Sequence, residues 1–148
     1  MLEYDVQAEQ VVANVSTAHT KRAQLFFDSS PGQSELLFNP AELLLSAFAA
    51  CLLKNVERMA QMLRFTYQKA AIHVHGVRED KPPRLTQIDW VLTVWTDDPQ
   101  HKVDLLDRNL RKQGTIYNTL TAACAVEGRI ETQPRTDSPQ PTTQMSEA

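Results

Sequence analysis

The spacing of apolar residues changes character several times along the chain, and each change predicts an element. Residues 2–16 alternate loosely, with Leu2, Tyr4, Val6 and Ala8 set against Glu3, Asp5 and Gln7, which predicts a strand or hairpin arm. A second short strand is predicted over Ala23–Phe27, ending at the turn-rich run Asp28–Gly32, and another over Glu35–Phe38. The period then becomes helical. Asn39 can cap, Pro40 suits a first helical position, and Glu42 stands three residues after the cap, as in a capping box. The helix should reach about Leu63. Its first half is apolar nearly all round, from Leu43 through Leu53, which predicts burial on most sides. Its second half is amphipathic, with Val56, Met59, Ala60 and Leu63 inward and Lys54, Glu57 and Arg58 outward.

Two long strands are predicted over 66–78 and 86–96, the second placing Ile88, Trp90, Leu92 and Val94 on one face. Pro82 and Pro83 make the link Asp80–Arg84 a loop rather than more strand. Asp98-Pro99 opens a helix whose apolar positions are Val103, Leu105, Leu106 and Leu110. Gly114 breaks it, Thr115–Ala122 continues as a short helical segment, and Cys124–Thr132 fits a last strand. From 134 to 148 the chain is rich in Pro, Ser, Thr and Gln and is expected to be a disordered tail after a single domain over 1–133. Strands, a helix, two strands, helices and a strand in that order make the fold class α+β.

Composition narrows the functional classes. The chain has 148 residues, 42% of them hydrophobic and 22% charged, which suits one soluble globular domain. A net charge of −3 gives no electrostatic footprint for nucleic acid. The longest apolar run, Leu43–Leu53, is shorter than the roughly 18 residues a membrane helix needs. The first residues lack the basic patch and apolar stretch of a signal peptide, so the expected location is cytoplasmic, where thiols stay reduced unless they do redox work.

Two cysteines and no C-x-x-C pair leave two free thiols. Cys51 lies among alanines and leucines, and on its residues alone it reads either as a small buried hydrophobe or as a nucleophile. The second role requires a cation or hydrogen-bond donors beside the sulfur, and mid-helix placement denies it the helix N-terminus. His73 and His75 share a strand face at a metal-compatible spacing, but the sequence shows no third ligand, so no metal and no cofactor are expected. Trp90 and Trp95 read as core or interface aromatics. Phosphate loops, nucleophile elbows and H-E-x-x-H are lacking.

The stretch Asn39–Cys51, with its Asn-Pro start, Glu42-Leu43 and small residues leading to a cysteine eleven positions after Pro40, resembles the signature of the OsmC/Ohr family. The Val77–Arg84 segment also resembles a branch of it. The resemblance implies an OsmC-like fold, an antiparallel sheet packed on a long central helix in an intertwined homodimer. It also implies a Cys51 that reduces organic hydroperoxides by passing through a sulfenic acid, with an Arg and a Glu organising the site. Arg22 is the candidate Arg, with Arg78 and Arg84 as alternatives, and Glu42 is the candidate Glu. Glu42 and Cys51 are nine residues apart, roughly 13 Å along a regular helix and on nearly opposite sides of it. Either the helix is broken near its start, or Glu42 serves the Cys51 of a second chain, or Glu42 is simply a cap.

Two positions depart from the family pattern. Organic hydroperoxide reductases of the family carry Glu directly after the Pro, where this chain has Ala41. Their second, resolving cysteine falls near Gly114 here, and Cys124 comes about ten positions late, so it reads as a core cysteine or a doubtful resolving thiol. The expected function is a thiol-dependent hydroperoxide reductase, of one-cysteine type if Cys124 cannot reach Cys51, with an external small thiol or dithiol as reductant. The alternative is a dimeric module of the same fold that binds a small ligand without peroxidase turnover.

Overall fold

A computed structural model describes residues 1–137. The elements are β1 (Gln7–Val12), β2 (Val15–Thr20), β3 (Ala23–Asp28), α1 (Pro40–Leu63), β4 (Lys69–Asp80), β5 (Pro83–Trp95), α2 (Gln100–Gln113), α3 (Thr115–Thr121) and β6 (Ala125–Gln133). The class is α+β, and the chain divides into two compact units, 1–50 and from Cys51 onward. Among the described residues no helix is long and apolar enough to cross a membrane.

In the N-terminal unit β1, β2 and β3 form an antiparallel meander. Its turns rest on Asn14 and Lys21, both at positive φ, and Asn is among the few residue types that tolerate that region readily. Glu35–Phe38 is not a strand. Asp28, buried at the end of β3, accepts the backbone N–H groups of Ser30 and Ser34, and the Ser34 hydroxyl accepts the N–H of Leu36. Donors turned inward onto Asp28 cannot form a sheet ladder, so the segment winds round the carboxylate as a loop. The unit ends in the first turns of α1, where Asn39 Oδ1 accepts the Glu42 N–H and Glu42 Oε2 accepts the Asn39 N–H, both at 2.9 Å. This reciprocal pair is the predicted capping box. Burial of that half of the helix on most sides is not observed: Phe48 is buried, but Leu44 is exposed and Leu43 and Leu45 are half-buried. Among the described residues the apolar circumference of this half exceeds its cover.

In the C-terminal unit the rest of α1 buries Leu52, Asn55, Val56, Met59 and Ala60, the i, i+3, i+4, i+7, i+8 stripe of an amphipathic helix. Arg64 at φ 50° and a bond from the Phe65 N–H to the Ala60 carbonyl close its C-terminus. β4 and β5 pair antiparallel through a tight turn at Lys81-Pro82. Pro83 therefore belongs to β5 rather than to a loop, at a strand's first residue, where a missing N–H is tolerated. β6 joins β5 in parallel, so this sheet is mixed rather than wholly antiparallel. The cause is the helical connection: α2 and α3 return the chain to the end at which β5 began, and such crossovers produce parallel pairs. Ile88, Trp90, Leu92 and Val94 fill the core with Val103, Leu106 and Leu110 of α2. Gly128, paired with Trp90, makes room for that residue, because a Cβ there would collide with the Trp90 carbonyl oxygen and with its ring.

Past Gln133 the backbone stays tied as far as Thr136, whose N–H donates to Gln68 Oε1 and whose carbonyl accepts from Gln68 Nε2. The first residues of the expected tail are thus held. Residues 138–148 lie outside the described residues.

Candidate active site around Cys51

Cys51 is half-buried on α1 at the edge of the buried stripe. One turn on, Asn55 turns its amide back toward it. Asn55 Nδ2 donates to the Cys51 carbonyl at 2.9 Å and lies 3.7 Å from the Cys51 Sγ.

The corner between α2 and α3 presses on the same sulfur. Gly114, buried, separates the two helices. Its φ of −77° is open to any residue, so conformation does not require glycine here. Space does. A Cβ at this position would lie 3.2 Å from Cys51 Sγ, 2.8 Å from Tyr117 Cβ and 3.3 Å from the Leu110 carbonyl oxygen. The chain thus brings together Cys51 and the position where a resolving cysteine was expected, and the helical corner has closed over the volume that a side chain there would fill.

Arg111, which sequence reasoning did not single out, pins this corner to the sheet. Its guanidinium donates to Asp107 at 2.9 Å, to the Gly128 carbonyl at 2.7 Å and to the Tyr117 hydroxyl at 3.3 Å, and lies 5.0 Å from the Trp90 ring centre. Burial pulls its pKa down, but the hydrogen bond and charge of Asp107 outweigh that and hold it above its ordinary value. The readable signal was the i,i+4 spacing of Asp107 and Arg111 at the C-terminal end of α2, where a cation also meets the negative end of the helix.

The other candidates sit elsewhere. Cys124 follows α3, half-buried, and its thiol donates to the Leu120 carbonyl at 3.5 Å. Gly114, not Cys124, occupies the place beside Cys51, and the seven residues of α3 intervene. In the N-terminal unit, Glu42 is exposed and engaged in the capping box, and Arg22 is exposed in the two-residue turn between β2 and β3. Helix α1 runs unbroken over Pro40–Leu63. Arg78 and Arg84 pair with Asp80 and Glu79 at the exposed end of the β4–β5 hairpin. His73 and His75 share the outer face of β4, beside a shallow cleft of about 390 Å³ that Asp89, Glu127 and Arg129 also line. Among the described residues no three His, Cys, Asp or Glu side chains are grouped to hold a metal ion.

The family model described as OsmC-like protein matches residues 32–128. No curated protein sequence matches the chain. Among solved structures, an OsmC-like protein from Mycoplasma pneumoniae is 23% identical with a TM-score of 0.78, the alignment covering 90% of this chain and 97% of that one. A hypothetical protein from Aquifex aeolicus is 15% identical at a TM-score of 0.79, covering 92% and 100%. The organic hydroperoxide resistance protein OhrB of Bacillus subtilis is 16% identical at a TM-score of 0.63, covering 88% and 98%. At these identities the likeness shows the fold.

Proposed function

Because the chain belongs to the OsmC-like protein family, we propose that it is a thiol-dependent reductase of organic hydroperoxides, of one-cysteine type, with Cys51 as the attacking thiol. The observation that carries this reading is Cys51 itself, half-buried on α1 with an amide donor 3.7 Å from its sulfur, while Gly114, whose Cβ would lie 3.2 Å from that sulfur, supports only the one-cysteine type. The Cys51 thiolate attacks one peroxide oxygen, the O–O bond breaks, and the products are a Cys51 sulfenic acid and an alkoxide that takes a proton from water. With no thiol at position 114, an external thiol attacks the sulfenic sulfur and displaces water. A second thiol then cleaves the mixed disulfide and returns Cys51 to its reduced form. The setting is antioxidant defence in the cytoplasm, where such thiols are abundant.

The working unit in this reading is a homodimer. The uncovered apolar side chains of the N-terminal unit, among them Leu25, Phe26 and Leu44, support a second copy as their cover. In that dimer Glu42 and Arg22 organise the Cys51 of the second copy, a reading consistent with the opposed faces of Glu42 and Cys51 on one regular helix.

A second reading, a small-ligand-binding module without turnover, is favoured by the Glu42 carboxylate being already committed to the Asn39 N–H. Stopped-flow oxidation by cumene hydroperoxide and hydrogen peroxide separates the two. Wild type and Cys124→Ser should each form a sulfenate trappable by dimedone, with no intramolecular disulfide, and Cys51→Ser should form none. Glu42→Gln keeps an acceptor for the cap and should slow oxidation at least about tenfold if the carboxylate serves the thiol. Wild type reacting no faster than free cysteine sinks the reductase and leaves the binding module.

A further inference from the structure

We infer that Asn55 is the built-in donor that stabilises the Cys51 sulfur as a thiolate, a specific positioning and activating residue on the same helix. The premise, taken from the proposed function, is that Cys51 carries the reacting atom.

The first observation is what Asn55 displaces. Positions 52, 55, 56, 59 and 60 form one buried stripe, and the other four are Leu, Val, Met and Ala. Asn55 is 8% exposed among them. Burying an amide there is costlier than burying a leucine unless its hydrogen bonds are made, so a local partner has to justify it. The second observation is where the amide points. The Cys51 carbonyl can only accept, so the atom 2.9 Å from it is the amide nitrogen and not the amide oxygen. That nitrogen carries two hydrogens. One is used by the Cys51 carbonyl, which fixes the amide plane, and the other is available to the Sγ at 3.7 Å.

A donor held in this way discriminates between the two states of the sulfur. A thiol accepts weakly, whereas a thiolate accepts strongly, so the contact stabilises the anion. Cys51 needs such help because it lies eleven residues into α1 from Pro40, beyond reach of the dipole at the N-terminus. The α2–α3 corner brings Gly114 toward the sulfur, and Arg111, which ties that corner to the sheet, donates to Asp107, the Gly128 carbonyl and the Tyr117 hydroxyl. On α1 the neighbouring charges Lys54, Glu57 and Arg58 are exposed.

The test is the pH profile of iodoacetamide alkylation of Cys51 in full-length protein carrying Cys124→Ser, so that a single thiol reports. Asn55→Leu fills the volume without a donor and should raise the midpoint by about one pH unit, which is tenfold in thiolate fraction below the midpoint. Asn55→Ala removes the donor without adding a charge and should raise the midpoint in the same direction. Melting temperatures measured alongside separate a structural role, which would lower Tm in both variants and leave the midpoint in place. Midpoints within about 0.3 pH unit of the parent in both variants overturn the inference. If Asn55→Leu does not fold, Asn55→Ala alone decides. Since alkylation involves no peroxide, a midpoint shift in a protein that fails to reduce hydroperoxides keeps the role of Asn55 and removes only the reductase.

Discussion

In β5 the inward residues Ile88, Trp90, Leu92 and Val94 are at most 1% exposed, whereas in β3 Leu25 and Phe26 remain 44% and 49% exposed. The two units thus treat similar side chains in opposite ways. The C-terminal unit closes a core from its own elements, with α2 laid over a mixed sheet and Arg111 tying helix to strand. The N-terminal unit is a three-stranded meander whose first strand is exposed along its whole length and whose helix half is apolar on uncovered sides. Small meanders of this kind hold together poorly in water without a packed face. One unit can therefore be read as a folded body, and the other as a surface awaiting a cover. Cys51, Asn55 and Gly114 all belong to the closed unit.

The largest expected effect belongs to the closed core. Trp90→Ala removes a side chain 1% exposed, the ring beneath Arg111 and the filler opposite Gly128, and should cost about 3–5 kcal/mol in guanidinium unfolding. That loss should not depend on protein concentration. The open unit should behave differently. If a second copy covers it, the wild-type Tm rises with concentration, and Phe26→Asp abolishes that rise and costs about 1.5–3 kcal/mol of apolar burial when measured at high concentration. Sedimentation equilibrium gives the mass directly. A monomer with a concentration-independent Tm breaks the contrast, because the exposed side chains would then be mere surface.

The same division explains what the sequence made legible. Period-2 alternation in β5 and the capping box at Asn39 were readable because each is decided by residues close together in sequence. The parallel partnership of β6 was not, since it depends on how far α2 and α3 carry the chain. The loop over Glu35–Phe38 was misread because its apolar residues suggest a strand, whereas the deciding residue is Asp28, several positions earlier. At the site, the position of Gly114 followed from the family resemblance, but its contact with Cys51 did not. Asn55 passed unnoticed because a single polar residue in an amphipathic helix looks like a lapse in the pattern until its amide is seen to turn back on the cysteine.

The smallest effects are expected at the extremes of pH, and there the two units should differ in sign. In the N-terminal unit hydrogen bonds to Asp28, from the Ser30 side chain first and then from the Ser30 and Ser34 backbone, hold the carboxyl below its ordinary 3.8. A lowered folded pKa contributes stability that is present above pH 3.8 and lost as the pH falls through the folded value. In the C-terminal unit burial, then the hydrogen bond to Glu57 and its charge, push Tyr67 from 10.0 up to about 12. A raised folded pKa contributes stability that is fully present below pH 10.0 and disappears as the pH rises toward 12. Asp28→Asn should therefore be less stable than wild type near neutrality, with the gap closing in acid, and Tyr67→Phe should gain on wild type only between pH 10.0 and about 12. Both tryptophans, Trp90 and Trp95, lie in the C-terminal unit, so their fluorescence follows that unit while far-UV circular dichroism follows both. Alkali should move the two signals together. Acid should move the dichroism first, and a simultaneous acid transition in both would show that the N-terminal unit draws its stability from the same core as the other.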